Sequence, residues 1–143
     1  MSGGGVTSEA SGRLTGSELL TAMTELNSPA LAESPVLYAF LDLNGVTAMD
    51  ISTIQLRAAA DLSIRGSRYQ SASRVVAIHA NGDLAFALAR MWQVFVEQTG
   101  WETHVFRERS QAVTWVRARV AARFGIQAAL DIDGRNHAGN GSA

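Results

Sequence analysis

The chain has 143 residues, of which 47% are hydrophobic and 17% charged, and a formal net charge of −1. This length and apolar content predict one globular domain rather than a disordered chain. The absence of cysteine excludes disulfides, zinc–thiolate sites and thiol nucleophiles, and the near-neutral charge argues against a dedicated nucleic-acid binder. The apolar runs are far shorter than the roughly 20 residues of a membrane span, so we expect a cytoplasmic protein.

Both ends of the chain are rich in small and polar residues. We predict flexible tails over residues 1–12 and 126–143, on either side of a domain at residues 13–125. Charge is unevenly divided, because residues 1–62 carry seven acids and two arginines, which leaves −5. The remaining residues carry ten arginines and six acids, which leaves +4.

The first clear element is a helix predicted over Gly16–Leu26. Thr15 and Glu18 have the spacing of a capping box, in which each side chain accepts from a backbone N–H of the first turn. Pro29 disfavours helical geometry in the residue before it and so ends the element. A weak strand near Val6–Thr15 is an open alternative to a tail that continues to residue 12.

A buried strand and a second helix follow. The segment Val36–Leu43 is almost entirely apolar, which is typical of a strand covered on both faces. The pair Asn44–Gly45 predicts a turn. The helix is predicted over Ile51–Ile64, with Asp50 as its N-cap.

The rest of the domain alternates in the same way. Asp83 and Ser110 stand where the two later helices need an N-cap, and Gly100 and Gly125 stand where those helices end. Trp92 lies on the apolar face of the first of these helices. The predicted elements are a strand at Arg74–Ala80, a helix at Leu84–Thr99, a strand at Trp101–Phe106 and a helix from Ser110 to Phe124.

Strands that alternate with helices imply right-handed crossovers and a mainly parallel sheet. The sequence therefore predicts an α/β fold, in which helices pack on a mainly parallel sheet of about four strands.

Motifs for catalysis, metals and nucleotides are missing. Neither a nucleophile elbow nor a phosphate-binding glycine loop follows any predicted strand. The three histidines, His79, His104 and His137, lack the spacing of metal ligands. We interpret His79 as a hydrogen-bonded core residue and place His104 on the same strand face as Glu102 and Phe106. We therefore predict no enzyme activity, no cofactor and no metal.

One stretch resembles a known family. Leu41–Ser52, with the sequence LDLNGVTAMDIS, resembles the hallmark of STAS domains, the family of bacterial anti-sigma factor antagonists. The segments GRLTGSELLTAM, SRVVAIHANGDLAFALARMW and WETHVFRERSQAVTWV resemble the flanking elements in the same order, and the last is similar to small SpoIIAA-like proteins of the STAS/SEC14 type. The resemblance covers about residues 12–124 and implies a SpoIIAA-like (βα)n layer.

The family resemblance also implies a regulatory site. By position, Asp50 matches the family's aspartate and Ser52 its serine phospho-acceptor, while Ile51 and Thr53 replace a serine and a glycine of the family pattern. A phosphate of about −2 charge at a helix N-terminus interacts with the helix dipole or repels an acidic partner. The alternative is that Ser52 is an ordinary first-turn residue.

Two functions of different class follow. The first is a non-enzymatic interaction or regulatory module that acts through the loop 44–53 and the helix after it. Its partner is a protein, such as a kinase-type anti-sigma regulator, or a second copy of the chain, and neither nucleic acid nor a membrane span is involved. The second is a domain that binds a lipid-like or anionic small ligand at the carboxyl ends of the strands. Besides Ser52, the candidate binding residues are Thr47, Asp50, Thr53, Asn81 and Asp83, with Arg107 and Arg109 near them.

Overall fold

The computed structural model describes residues 4–28, 36–68, 74–128 and 130. Its four strands form one sheet in the order β1-β2-β3-β4, and every neighbouring pair is parallel. This confirms the predicted α/β fold with a mainly parallel sheet of about four strands. The elements are β1 (Gly5–Thr15), α1 (Gly16–Leu26), β2 (Tyr38–Asp50), α2 (Thr53–Gly66), β3 (Val75–His79), α3 (Asp83–Phe95), β4 (Glu102–Phe106) and α4 (Arg109–Phe124).

Helices cover both faces of the sheet. Crossovers of one hand between strands in chain order bring the connecting helices to the same face, and α1, α2 and α3 lie together there. The last helix, α4, follows the final strand and packs on the opposite face. Side chains along β3 alternate between the two sides, with Val76 and Ile78 toward α2 and α3 and Val75 and Ala77 toward α4. A strand covered on both sides is apolar throughout, as its sequence predicts.

The two ends of the domain differ from the prediction. Residues 5–12 belong to β1 and pair with β2. The alternative of an early strand is therefore confirmed, and the flexible tail predicted over residues 1–12 is wrong for residues 5–12. Ala128 and Leu130 are buried against the α4 side of the core, so they are not part of a flexible tail. The other residues of the predicted C-terminal tail from 131 onward lie outside the described residues.

The predicted turn at Asn44–Gly45 is also wrong. β2 continues through both residues to Asp50, and Gly45 pairs with Ser11 of β1. The register shifts just before this pair, and the Asn44 backbone N–H donates to the Asp42 Oδ1 at 2.9 Å. Asparagine and glycine therefore form a bulge inside a strand, which bends the strand without ending its pairing.

The N-caps observed in the structure agree with the predicted N-cap for α1 but not for the other three helices. The Thr15–Glu18 capping box of α1 is present with both hydrogen bonds. The N-cap of α2 is Ser52 rather than Asp50, because Ser52 forms its own capping box. The predicted caps Asp83 and Ser110 lie inside α3 and α4, whose N-caps are Gly82 and Glu108 without a side-chain cap bond.

A buried arginine joins α1 to the sheet. Arg74, just before β3, is 1% exposed and donates from Nε to the Val36 carbonyl oxygen at 3.1 Å. Its Nη1 donates to Asn27 Oδ1 at 3.1 Å, and its guanidinium lies 4.4 Å from the Trp101 ring centroid. Burial lowers the pKa of Arg74 to about 10. The residue therefore remains charged at neutral pH and ties three elements together.

At the edge of the sheet formed by β4, ion pairs connect α4 to this strand. Arg119 donates from Nε to Glu102 Oε1 at 2.6 Å, and Arg123 donates to the second carboxylate oxygen. The Arg119 guanidinium lowers the pKa of Glu102, and Glu102 in turn raises the pKa of Arg119. His104 and Phe106 share the face of Glu102, as predicted, with ring centroids 4.4 Å apart.

Candidate functional site

The residues of the resemblance lie on an extension of the sheet. β2 pairs with β3 only from Tyr38 to Asp42, and its remaining residues pair with β1 alone. Thr47 is exposed beside the second register shift of this two-stranded ribbon. Asp50, also exposed, ends the ribbon and forms an ion pair with Arg13 at 2.5 Å. The ribbon therefore carries the chain away from β3 to the start of α2.

Ser52 caps α2 and is accessible. Its Oγ accepts from the Gln55 backbone N–H at 3.1 Å, and the Gln55 Oε1 accepts from the Ser52 backbone N–H at 3.0 Å. Ser52 and Thr53 are exposed, and Ile54 is 82% exposed. A large apolar side chain thus stands in solvent directly beside the two hydroxyl groups.

The remaining predicted site residues form a second group at the carboxyl ends of β3 and β4. Arg107 Nη1 donates to the Asn81 carbonyl oxygen at 3.1 Å and to Asp83 Oδ1 at 2.9 Å. Its guanidinium lies 4.2 Å from the Phe86 ring centroid. The Asp83 carboxylate, in the first turn of α3, is therefore neutralised by Arg107 on the loop after β4. Within the described ranges, no hydrogen bond or ion pair links this group to Ser52 or Thr53.

A partly buried polar cluster lies on the α4 side of the same sheet end. Asp42 and His79 are neighbours across β2 and β3, and Asp42 Oδ1 lies 3.0 Å from His79 Nδ1. Arg109, expected at the carboxyl ends of the strands, places its Nε 3.6 Å from Asp42 Oδ2. His79 is 5% exposed, which confirms its interpretation as a hydrogen-bonded core residue. Asp42 and Arg109 were not predicted as partners of His79, although strand alternation places Asp42 on the same face of the sheet as Phe40.

An apolar groove, also missed, runs between β1 and α1. It has a volume of about 620 Å³. It forms because α1 packs mainly against α2 and makes few contacts with β1. The groove walls include Val6, Leu14 and Leu26, while Glu9, Glu18 and Glu25 are the charged side chains among its described lining residues.

A small inner cavity of about 70 Å³ adjoins this groove. The two share part of their walls, and the cavity extends toward α3 as far as Trp92, which lies in the core as predicted. All the described residues that line the inner cavity are apolar. The walls common to both are Leu14, Leu19, Met23, Leu41 and Leu43.

These features define the class of protein as a parallel α/β domain. Among the described residues, no group of three or more histidines or carboxylates has the arrangement of a metal site, and none of their helices has the length and apolar character that a membrane crossing needs. Comparisons with known protein families, with curated proteins and with solved structures find no match.

Proposed function

We propose that the protein is a non-enzymatic regulatory module of the cytoplasm, which binds a protein partner through the start of α2. We call this region the α2 surface and define it as Asp50, Ser52, Thr53 and Ile54. The observation that carries the proposal is the 82% exposure of Ile54 beside the exposed hydroxyl groups. An isoleucine that moves from water into an interface contributes roughly 1.5–3 kcal/mol, so it is a natural anchor for a partner.

The position of Ser52 supports regulation by phosphorylation. The serine is exposed and its Oγ already accepts a backbone N–H of the first helical turn. A phosphate at this position keeps oxygen acceptors near the helix N-terminus and is stabilised by the helix dipole. It also places negative charge next to Ile54 and Asp50, which disfavours an apolar or acidic partner. The resemblance of Leu41–Ser52 to the anti-sigma factor antagonists supports a partner kinase of the anti-sigma type.

Capture of partners from an extract of the native cell tests the interaction. We expect Ile54→Ala to lose a partner that the wild-type chain retains, because the anchor is removed. Leu84→Ala is the matched control, since Leu84 is also a large exposed hydrophobic residue, at 56%, but lies on α3. Equal loss in both variants, or retention by Ile54→Ala, would contradict the α2 surface as the contact. Sedimentation of the purified chain distinguishes a second copy from a different partner.

Phosphate labelling by the captured kinase tests the switch. We expect Ser52→Ala to abolish labelling and Thr53→Ala, its exposed neighbour, to retain it. Undiminished labelling of Ser52→Ala removes Ser52 as the acceptor. Circular dichroism of both variants shows whether α2 keeps its helical content without the serine cap.

A second candidate function, small-ligand binding, is favoured by the groove between β1 and α1. Its volume of about 620 Å³ falls within the range of roughly 300–1,000 Å³ typical of ligand pockets. The apolar walls favour a lipid-like ligand over an anionic one. The groove is a different site from the strand-end crevice that the sequence predicts, because none of the residues expected around that crevice lines the groove. Titration with hydrocarbon-chain compounds tests this function.

A further inference from the structure

We propose that the groove between β1 and α1 selects a single-chain amphiphile with a cationic head, whose hydrocarbon end enters the inner cavity. This inference rests on the second candidate function, ligand binding in the groove, and names the ligand class. Three features carry it: the continuity of groove and cavity, the apolar character of the cavity and the charge at the rim.

The continuity of the two spaces favours a chain-shaped ligand. The groove and the inner cavity share a wall of five apolar side chains, including Leu19 and Met23, so an alkyl chain that lies in the groove contacts the same side chains that line the cavity. The inner cavity, at about 70 Å³, is much too narrow for a helix. A docked peptide helix would fill only the outer groove and leave the inner cavity empty. The geometry therefore favours a flexible hydrocarbon chain over a protein segment.

The inner cavity is suited to hydrocarbon and not to a polar group. An apolar cavity gives a water molecule no hydrogen-bond partners, so such cavities stay dry and bind apolar molecules. The chain end that enters it replaces missing packing contacts with Leu56, Ile78 and Trp92. The polar head of the ligand must then remain at the open side of the groove.

The charged residues at the open side of the groove determine which charge the head group of the ligand must carry. Glu18 and Glu25 lie on α1 at the rim of the groove, and both are exposed. Glu18 also accepts from the Thr15 backbone N–H at 3.0 Å, which fixes it at the start of α1. Among the described residues that line the groove, no arginine balances these carboxylates. These carboxylates on α1 attract an ammonium head and repel a carboxylate or a phosphate.

Calorimetric titration of the full chain with three probes of equal chain length tests the inference. The probes are dodecylammonium, dodecanol and dodecanoate, each below the concentration at which micelles form. We expect dodecylammonium to bind most tightly and its affinity to fall as salt is added, because added ions screen exposed charges. Equal binding of all three overturns the preference for a cation but leaves ligand binding intact. Binding of none of them overturns ligand binding itself.

Variants of the protein and a shorter probe test the contributions of the head group and of the hydrocarbon chain separately. The double variant Glu18→Gln with Glu25→Gln is expected to weaken dodecylammonium binding roughly threefold to tenfold and to leave dodecanol binding unchanged, and glutamine at position 18 still completes the capping box of α1. Glu97→Gln with Glu108→Gln is the matched control, because both residues are exposed and lie outside the groove. Butylammonium is expected to bind far more weakly than dodecylammonium, and equal affinity would overturn insertion of the chain. Tight binding of a basic amphipathic peptide without binding of dodecylammonium would likewise overturn the proposal.

Discussion

Replacement of Arg74 by methionine tests how a buried cation stabilises this fold. The guanidinium donates to Val36 and Asn27 at 3.1 Å and to the Leu26 carbonyl oxygen at 3.5 Å, and it stacks on Trp101. Hydrogen bonds to a charged group contribute roughly 1.5–3 kcal/mol each. Against this, burial lowers the pKa of Arg74 to about 10, which corresponds to a burial cost of roughly 3 kcal/mol.

The balance favours the native arginine, because methionine also leaves the oxygen acceptors without a donor. We expect Arg74→Met to lower the free energy of unfolding by about 2–4 kcal/mol. Urea denaturation followed by tryptophan fluorescence measures the change, with Arg90→Met as the control at an exposed position. A loss within the roughly 0.5 kcal/mol typical of surface substitutions would refute the reasoning and show that the cost of burial cancels the hydrogen bonds.

Three other substitutions test other parts of the fold. Asp42→Ala leaves the buried His79 ring without its hydrogen-bond partner, so the free energy of unfolding measured by thermal denaturation should fall by about 1–3 kcal/mol, and a smaller loss is expected for Asp42→Asn. Glu102→Gln should destabilise the protein at pH 7, and this difference should disappear as pH falls below 4.5, because a lowered pKa stabilises the fold only while the carboxylate stays ionised. Gly82→Ser supplies the missing cap of α3 in open space and should raise stability by about 0.5 kcal/mol in urea denaturation. A pH-independent Glu102→Gln effect, or a loss in Gly82→Ser, would contradict these two arguments.

The parts of the fold that depend on local pattern were predictable. The helix at Gly16–Leu26 has the predicted bounds, because its capping box and its apolar face lie within one short segment. The buried strands β3 and β4 lie within one residue of their predicted limits, since near-continuous or alternating apolar patterns indicate them directly. The alternation of these elements was enough to predict a parallel sheet.

The parts that depend on distant partners were not predictable in the same way. Asn44–Gly45 has the local chemistry of a turn, and only its pairing with β1 converts it into a bulge. Asp50 and Ser52 both have side chains that cap helices, and Ser52 forms the cap because Gln55 stands at the position that completes the box. The groove could not be foreseen, because it results from the packing of α1 mainly against α2 and not from a motif.

The sequential order of the strands has a consequence for how the chain is built. Each strand pairs with the one synthesised immediately before it, so the sheet can grow at a single edge while the polypeptide leaves the ribosome. No strand has to be inserted between two that already pair. The growing edge is taken over by the next strand in turn, and this shortens the time during which unpaired amide groups are open to aggregation.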